Sequence, residues 1–95
     1  EPISAQEALQ LGLLNKVVSA DKLMEEVEVF VSRLLDKGDV ALGICKRAVY
    51  QGGDLPLDHA LRLERELFCE ILMTEDALEG TQAFLEKRKP QFKGR

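Results

Sequence analysis

The sequence is poor in the residues and segments that several protein classes require. It has no Trp, and aromatic residues make up 5% of its 95 residues. No run of roughly 18 apolar residues occurs, so we expect no membrane-spanning helix. The first ten residues also lack the basic start and the apolar stretch of a secretory signal.

Cysteine and proline are scarce as well, and glycine is not enriched. Two cysteines, Cys45 and Cys69, are too few for a disulfide scaffold and are typical of a reducing compartment. This predicts a cytoplasmic protein, or a mitochondrial-matrix protein in a eukaryote. Seven Gly and three Pro are too few for a low-complexity linker. Hydrophobic residues make up 45% of the chain, so its length predicts one small domain over residues 1–95 with a thin core.

The charge is distributed unevenly along the chain. Residues 1–86 contain 17 acidic and eight basic residues, whereas residues 87–95 contain five basic residues and no acidic one. The acidic body argues against general nucleic-acid binding, which depends on neutralising phosphates. The basic tail has two interpretations: it meets a phosphorylated small molecule or an acidic partner, or it is simply solvated.

Helical periodicity and capping residues predict an all-α chain of five helices. Ser4 and Glu7 form a capping box that opens the first helix, and Gly12 is placed to end it. A β-leaning or extended stretch follows over residues 13–18. The other predicted helices run from Ser19 or Asp21 to Lys37, from Val40 to about Tyr50 between an Asp39 cap and a Gly52-Gly53 break, from Pro56 to Leu72, and from a Thr74 or Asp76 cap to Leu85.

The apolar residues of the second and fourth predicted helices exceed what five short helices can bury against one another. This surplus predicts a partner, either further parts of a longer chain or other subunits. A helix cap follows the opening Glu1-Pro2 after only two residues, so we expect the chain to be a fragment.

Few residues are placed for catalysis or metal binding. His59 is the only histidine and has no second ligand at metal spacing, so we expect it at the surface. Cys45 and Cys69 lie on or near apolar faces without a neighbouring histidine, and we expect both to be small buried hydrophobic residues. No phosphate-binding glycine loop occurs, and we expect no metal site.

Glu64 is the exception, because it falls inside the apolar stripe of the fourth helix. A carboxylate at such a position is costly unless it is paired. The structural interpretation is a salt bridge with Lys46 or Arg47, and the functional interpretation is a catalytic base. The stripe holds no second polar group, so we favour the salt bridge.

Several motifs, taken in order, resemble the enoyl-CoA hydratase (crotonase) family across essentially the whole chain. Residues 3–8 (ISAQEA) and 12–18 (GLLNKVV) are similar to its "I-x-A-x-E-A…G-L-V-N-x-V" segment. The further matches are Lys46, Ala60-Leu61 with Glu64 and Phe68, residues 74–80 (TEDALEG) and residues 83–94 (AFLEKRKPQFKG). One departure is Gly38-Asp39-Val40, where many members have a proline before the third helix.

The resemblance implies a helical C-terminal trimerisation region, which in the family follows an N-terminal spiral of β-β-α turns. In that family, two backbone N–H groups stabilise an enolate-like oxyanion of the acyl-CoA thioester, and in the hydratases two glutamates deliver water. These groups correspond to positions before Glu1, so we assign no catalytic residue and keep Glu64 structural. We expect no cofactor other than the coenzyme A thioester substrate.

The resemblance also implies a contact with coenzyme A. In the family, an aromatic and a basic residue reach the adenosine end of a neighbouring subunit's coenzyme A, and the matching positions here are Phe68 and Lys87. An aromatic face can stack on adenine, and an ammonium can meet the 3′-phosphate. The alternatives are core packing for Phe68 and a solvated tail for Lys87.

We therefore expect the oligomerising, coenzyme-closing part of an acyl-CoA enzyme, most simply one that hydrates a trans-2-enoyl-CoA as a homo-oligomer (a trimer or a dimer of trimers). Within the family the alternative is isomerisation, ring-forming condensation or decarboxylation. The alternative from another class is a non-catalytic helical interaction module. Neither a nucleic acid nor a membrane is expected as a partner.

Overall fold

The computed structural model describes all residues from 1 to 95, and it is all-helical, as predicted. The helices are α1 (Ala5–Gln10), α2 (Leu23–Leu35), α3 (Asp39–Gly53), α4 (Leu57–Leu72) and α5 (Glu75–Leu85), with a short 3₁₀ helix (Ala20–Lys22) before α2. The stretch over residues 13–18 forms no strand. None of the helices combines the length and the apolar composition that crossing a bilayer requires.

The contacts within the chain group into two compact units, residues 1–34 and residues 35–95. The first unit contains α1, the 3₁₀ helix and all of α2 but its last residue, and the second contains α3, α4, α5 and the C-terminal residues. The prediction that residues 1–95 serve as one helical domain stays a prediction.

In the first unit, α1 begins and ends as its local sequence predicts. The Glu7 amide donates to the Ser4 hydroxyl at 3.2 Å, and the Ser4 amide donates to the Glu7 carboxylate at 2.8 Å. These bonds from Ser4, first of all the backbone one, lower the pKa of Glu7. At the other end Gly12 has a φ of 75°, and the Leu13 amide donates to the Ala8 carbonyl. This pair of features is the Schellman ending, in which glycine relieves the strain of a left-handed residue.

The second predicted helix is shorter than expected at both ends. Its first turn is the 3₁₀ helix Ala20–Lys22, and α2 stops at Leu35 instead of Lys37. Ser19 takes the N-cap position without a side-chain hydrogen bond, so the cap that would favour a regular α-helical start is missing. An ion pair between Lys16 and Glu26 joins the preceding stretch to α2.

Two predicted boundaries of the third helix are wrong. Gly38 is the N-cap and Asp39 is already the first helical residue, without a capping hydrogen bond. The pair Gly52-Gly53 does not break the helix but forms its last turn. A Cβ on Gly52 would lie 3.7 Å from the Ala60 Cβ on α4, which is an ordinary van der Waals contact.

The core is thin, as predicted. Three apolar residues are buried, Ile44 on α3, Leu67 on α4 and Ala83 on α5. The stripes that the sequence places on α2 and α4 are exposed at most positions: Leu23, Val27, Phe30, Leu34, Leu57, Leu61, Phe68 and Leu72. The surplus of apolar surface is therefore a property of the folded chain, and large exposed apolar patches mark interaction surfaces.

Candidate functional site

The site develops from α5, whose start is well defined. Thr74 is the N-cap, and its hydroxyl accepts a hydrogen bond from the Ala77 amide at 3.1 Å. Of the two caps that the sequence left open, Thr74 is thus the right one. Asp76 is instead a buried residue in the first turn of the helix, where its carboxylate is free to hold another segment.

The end of α5 places Lys87 in an unusual backbone conformation. Its φ is 54°, and it is the only residue other than glycine in the chain with a positive φ. The Lys87 amide donates to the Phe84 carbonyl at 3.3 Å and the Arg88 amide to the Ala83 carbonyl at 3.0 Å. This is again a Schellman ending, but with lysine at the position that Gly12 occupies after α1. The left-handed conformation costs a residue with a Cβ about 1–2 kcal/mol.

Residues 88–95, the C-terminal segment, fold back along α5 and are held there by Asp76. One carboxylate oxygen of Asp76 accepts from the Lys93 amide and the other from the Gly94 amide, both at 2.7 Å. The Asp76 amide in turn donates to the Arg95 carbonyl at 2.9 Å. A buried carboxylate with both oxygens bonded satisfies its hydrogen-bonding requirement and fixes its partners.

Glu79, one turn further along α5, holds the beginning of the same segment. Its two oxygens accept from the Arg88 guanidinium at 2.6 and 3.1 Å, and the Gln91 amide donates to it at 2.9 Å. The Arg88 hydrogen bond first, and the Gln91 amide second, lower the pKa of Glu79 to about 2. Glu79 and then Glu86 raise the pKa of Arg88 in return.

Phe92 provides the apolar part of this attachment. Its half-buried ring lies against Gly80, where a Cβ would come within 3.3 Å of it, and near Gly38 at the start of α3. The ring also lines an open, mainly apolar cavity of about 410 Å³ together with Ile71 and Phe84. The C-terminal segment therefore bridges α5 and the beginning of α3.

The fold sorts the basic residues of the tail into paired and unpaired ones. Arg88 pairs with Glu79 and Glu86, Lys89 with Asp36, and Arg95 with Glu75. Lys87 and Lys93 form no ion pair. The tail is thus not a uniformly solvated charge run. Lys87 presents an exposed ammonium beside cations that are already neutralised by acids of this chain.

Phe68 is the second candidate residue, and it lies on the outer face of α4. It is 57% exposed, so it does not belong to the core within this chain. Leu61, Glu64 and Arg65 surround it in a shallow hollow of α4. No hydrogen bond or ion pair of this chain links the residues of this hollow to Lys87.

The predicted pairing of Glu64 is wrong. Its side chain is exposed and forms no salt bridge. Arg47 instead donates to Glu70 at 3.1 Å, and Lys46 lies over the Tyr50 ring with its nitrogen 5.9 Å from the ring centre. The α3–α4 register brings Arg47 opposite a residue almost two turns beyond Glu64. Because solvent reaches Glu64, it needs no partner.

Of the remaining candidate residues, the two cysteines differ from the prediction and His59 agrees with it. Cys45 and Cys69 are exposed, contrary to the prediction that both are buried, because the faces that carry them have no covering element in this chain. His59 is exposed, as predicted, with its Nε2 3.7 Å from the Asp58 carboxylate. No three His, Cys, Asp or Glu side chains lie close enough together to hold a metal ion.

Sequence reasoning missed the roles of Asp76 and Glu79. Both lie in the TEDALEG motif, three residues apart, which is one helical face. The signal that could have revealed them is the complementary charge of the RKPQFKGR tail, which follows a helix end and has a proline that turns the chain.

Comparison with known proteins places this arrangement in a family. The sequence pattern of the enoyl-CoA hydratase/isomerase family matches residues 1–95. The chain is 41% identical over 90 residues to a crotonyl-CoA hydratase of Syntrophomonas wolfei, covering 95% of this chain and 35% of the relative. It is 40% identical to a 2,3-dehydroadipyl-CoA hydratase of Escherichia coli, covering 100% of this chain and 37% of the relative.

Solved structures agree with the sequence relatives. An enoyl-CoA hydratase/isomerase from Mycobacterium paratuberculosis superposes with a TM-score of 0.93 and 35% identity, over 100% of this chain and 36% of that protein. The chain thus spans little more than a third of the length of the relatives it matches. With its sequence matched from end to end and its helices superposing on a solved member, the chain belongs to the enoyl-CoA hydratase/isomerase family.

Proposed function

We propose that this chain is the helical C-terminal part of a longer acyl-CoA hydratase, in which it serves assembly and closes the coenzyme A site of a neighbouring subunit. The substrate class is a trans-2-enoyl-CoA thioester, in keeping with the relatives named for hydration of crotonyl-CoA and 2,3-dehydroadipyl-CoA. The chain itself supplies no catalytic residue, and the oxyanion-stabilising amides and the acid–base pair belong to the preceding part of the protein.

The conformation of Lys87 is the observation that carries this proposal. A left-handed residue after a helix is ordinarily glycine, as Gly12 is after α1. Strain of this kind persists where surrounding structure enforces it, and it clusters at sites of function. Lys87 also keeps its ammonium free of acids, whereas Arg88 and Lys89 are paired. An exposed, unpaired ammonium is what a contact to the 3′-phosphate of coenzyme A requires, and the strained backbone is what suggests that this lysine has a function.

Phe68 has the exposure that stacking on adenine needs. Its side chain is more than half exposed although Phe is among the residues most often buried. The hollow around it contains Arg65, whose guanidinium suits a phosphate or a base face. We assign Phe68 to the adenine of the same coenzyme A, with the contact completed across an interface between subunits.

The apolar faces support the assembly role. Exposed side chains such as Phe30, Leu61 and Phe84 would be costly on a monomer in water and become favourable when other subunits or the preceding domain cover them. A homo-oligomer, a trimer or a dimer of trimers, is the assembly we propose. The same faces are the observation that favours the second candidate function, a helical interaction module without a role in catalysis.

Coenzyme A binding tests the proposal directly. In the longer protein, Lys87→Asn removes the charge while asparagine still accepts the left-handed conformation. A charge-assisted hydrogen bond to a phosphate contributes about 1.5–3 kcal/mol, so we expect calorimetry to show coenzyme A affinity lowered by about 10- to 100-fold. Dephospho-coenzyme A, which lacks the 3′-phosphate, should lose far less affinity.

Two controls separate the phosphate contact from general charge and from folding. Lys87→Arg keeps the charge and should retain most of the affinity, and Lys93→Asn removes the other unpaired cation of the tail and should change little. Equal losses for coenzyme A and dephospho-coenzyme A in Lys87→Asn would show that Lys87 acts through folding or assembly. No binding of either ligand by the unaltered protein would favour the interaction module.

A further inference from the structure

We propose that Asp76 and Glu79 are positioning residues for Lys87: by holding the C-terminal segment against α5 they keep Lys87 in its left-handed conformation, with its ammonium directed to the phosphate. This inference deepens the proposed function and rests on it. In this inference neither acid touches the coenzyme. Asp76 acts through the Lys93 and Gly94 amides, and Glu79 acts through the Arg88 side chain and the Gln91 amide.

The argument starts from what keeps Lys87 strained. The Schellman hydrogen bonds alone hold a glycine comfortably, as at Gly12, but a lysine at the same position favours other backbone conformations. The chain after Lys87 must therefore be held from outside the helix end. Directly after it, Arg88 is held by both oxygens of Glu79, at 2.6 and 3.1 Å.

The second step is that contacts with α5 continue along the whole C-terminal segment. Glu79 also accepts from the Gln91 amide at 2.9 Å, and Asp76 accepts from the Lys93 and Gly94 amides at 2.7 Å. Between these two attachments, the Phe92 ring lies on Gly80. A segment fixed at its first, middle and last residues has little freedom to let Lys87 rotate out of the left-handed region.

The third step concerns which groups the two acids bind and which they leave unpaired. Glu79 pairs with Arg88, and Asp76 accepts from backbone amides only, so both acids leave the Lys87 ammonium unpaired. Acids placed to neutralise the tail as a whole would have served equally well beside Lys87. The arrangement instead fixes the backbone around Lys87 and keeps its charge available.

The expected effect follows from the population of the competent conformation. Where the binding conformation is only partly populated, the apparent affinity falls by that fraction. Releasing the segment lets Lys87 leave the left-handed region, which is disfavoured by about 5- to 30-fold. We expect Glu79→Gln and Asp76→Asn each to lower the preference for coenzyme A over dephospho-coenzyme A by about 3- to 10-fold.

The experiment uses the longer protein and measures this preference by calorimetry in four single variants and one double variant. Lys87→Asn, Glu79→Gln and Asp76→Asn are the tests. Glu70→Gln is the matched control, because it breaks the Arg47 pair between α3 and α4 and leaves the C-terminal segment alone. In the double variant Lys87→Asn with Glu79→Gln, the preference should fall no further than in Lys87→Asn, and hydrogen exchange of the Arg88–Gly94 amides reports release of the segment.

The outcomes separate the inference from the proposed function. If Lys87→Asn leaves the preference unchanged, the proposed phosphate contact fails. If Lys87→Asn lowers it but Glu79→Gln frees the segment without effect, the contact stands and positioning is refuted. Positioning is also refuted if the amides of the segment stay protected in Glu79→Gln, or if that variant weakens both ligands equally. Asp76 is buried, and Asp76→Asn could therefore disrupt folding. Glu79 is only half-buried, so Glu79→Gln tests the inference in that case.

Discussion

Lys87→Gly should make the chain more stable while it impairs binding of coenzyme A. Glycine relieves the left-handed strain, worth about 1–2 kcal/mol. It also adds about 0.4–1 kcal/mol of conformational freedom to the unfolded chain. The net expectation is a gain of about 0.5–1 kcal/mol. For a chain of 95 residues that is a rise in melting temperature of roughly 2–8 °C.

The assay is thermal unfolding followed by circular dichroism at one fixed protein concentration, with two reference variants. Lys87→Ala carries the same Cβ strain as lysine and should melt close to the unaltered chain. Gly12→Ala is the reciprocal change, because Gly12 has a φ of 75° and no atom within 4 Å of an added Cβ. It should lose about as much stability as Lys87→Gly gains, with no steric contribution.

The comparison that tests the reasoning is between the melting temperatures of Lys87→Gly and Lys87→Ala, and we expect that of Lys87→Gly to be higher. If the two variants melt at the same temperature, Lys87 is not left-handed in solution, and the case for a strained functional lysine collapses. If Lys87→Gly is more stable and yet binds coenzyme A about 10- to 100-fold more weakly in the longer protein, the sequence retains lysine there at the expense of stability.

Three further predictions use other parts of the chain. The pKa of Glu79 is depressed to about 2, so its ion pair stabilises the fold fully at a pH above the ordinary carboxyl pKa of 4.5, and this stabilisation is lost as the pH falls through 2. An NMR titration of the Glu79 carboxyl carbon and the Gln91 amide should show this transition, and a Glu79 midpoint near 4.5 would contradict the lowered pKa. The 95-residue chain alone should not hydrate crotonyl-CoA in a spectrophotometric assay, because we propose that the oxyanion site and the acid–base pair belong to the preceding part of the protein; turnover above background would overturn that proposal. Sedimentation at micromolar concentration should show dimers, trimers or larger species, and a strictly monomeric, cooperatively folded chain would count against the apolar faces as interaction surfaces.

Local signals in the sequence predict most of the fold correctly. The capping box of Ser4 and Glu7, the Gly12 ending and the Thr74 cap lie at the positions that the structure confirms. Each of these devices satisfies backbone groups within a few residues, so a short window of sequence contains all the information. The predicted cap at Asp39 is wrong, because Gly38 takes the N-cap position. Asp76 and Phe92, from a distant part of the chain, lie near Gly38, and a short window of sequence does not contain them.

Interactions between distant residues were the least predictable. Arg47 pairs with Glu70 rather than Glu64, and this depends on the register of α3 against α4, which neither helix encodes by itself. Cys45 and Cys69 are predicted to be buried because they lie on or near apolar helix faces, but both are exposed. The sequence shows that a face is apolar and does not show which element covers that face. Burial within a chain that spans a third of its relatives' length cannot be derived from its helical stripes alone.

The basic residues at the end of α5 are the clearest example of a feature of the site that the sequence alone does not predict. Lys87, Arg88 and Lys89 are three adjacent cations, and apart from the family resemblance at Lys87 their order in the sequence gives no reason to separate them. The structure separates them by backbone geometry: the helix ends in a left-handed residue, which turns Arg88 toward Glu79 and Lys89 toward Asp36. Glycine at position 87 would make the same turn with less strain. The difference that lysine brings is one exposed, unpaired ammonium, and that is why we propose that this turn binds a ligand in addition to its structural role.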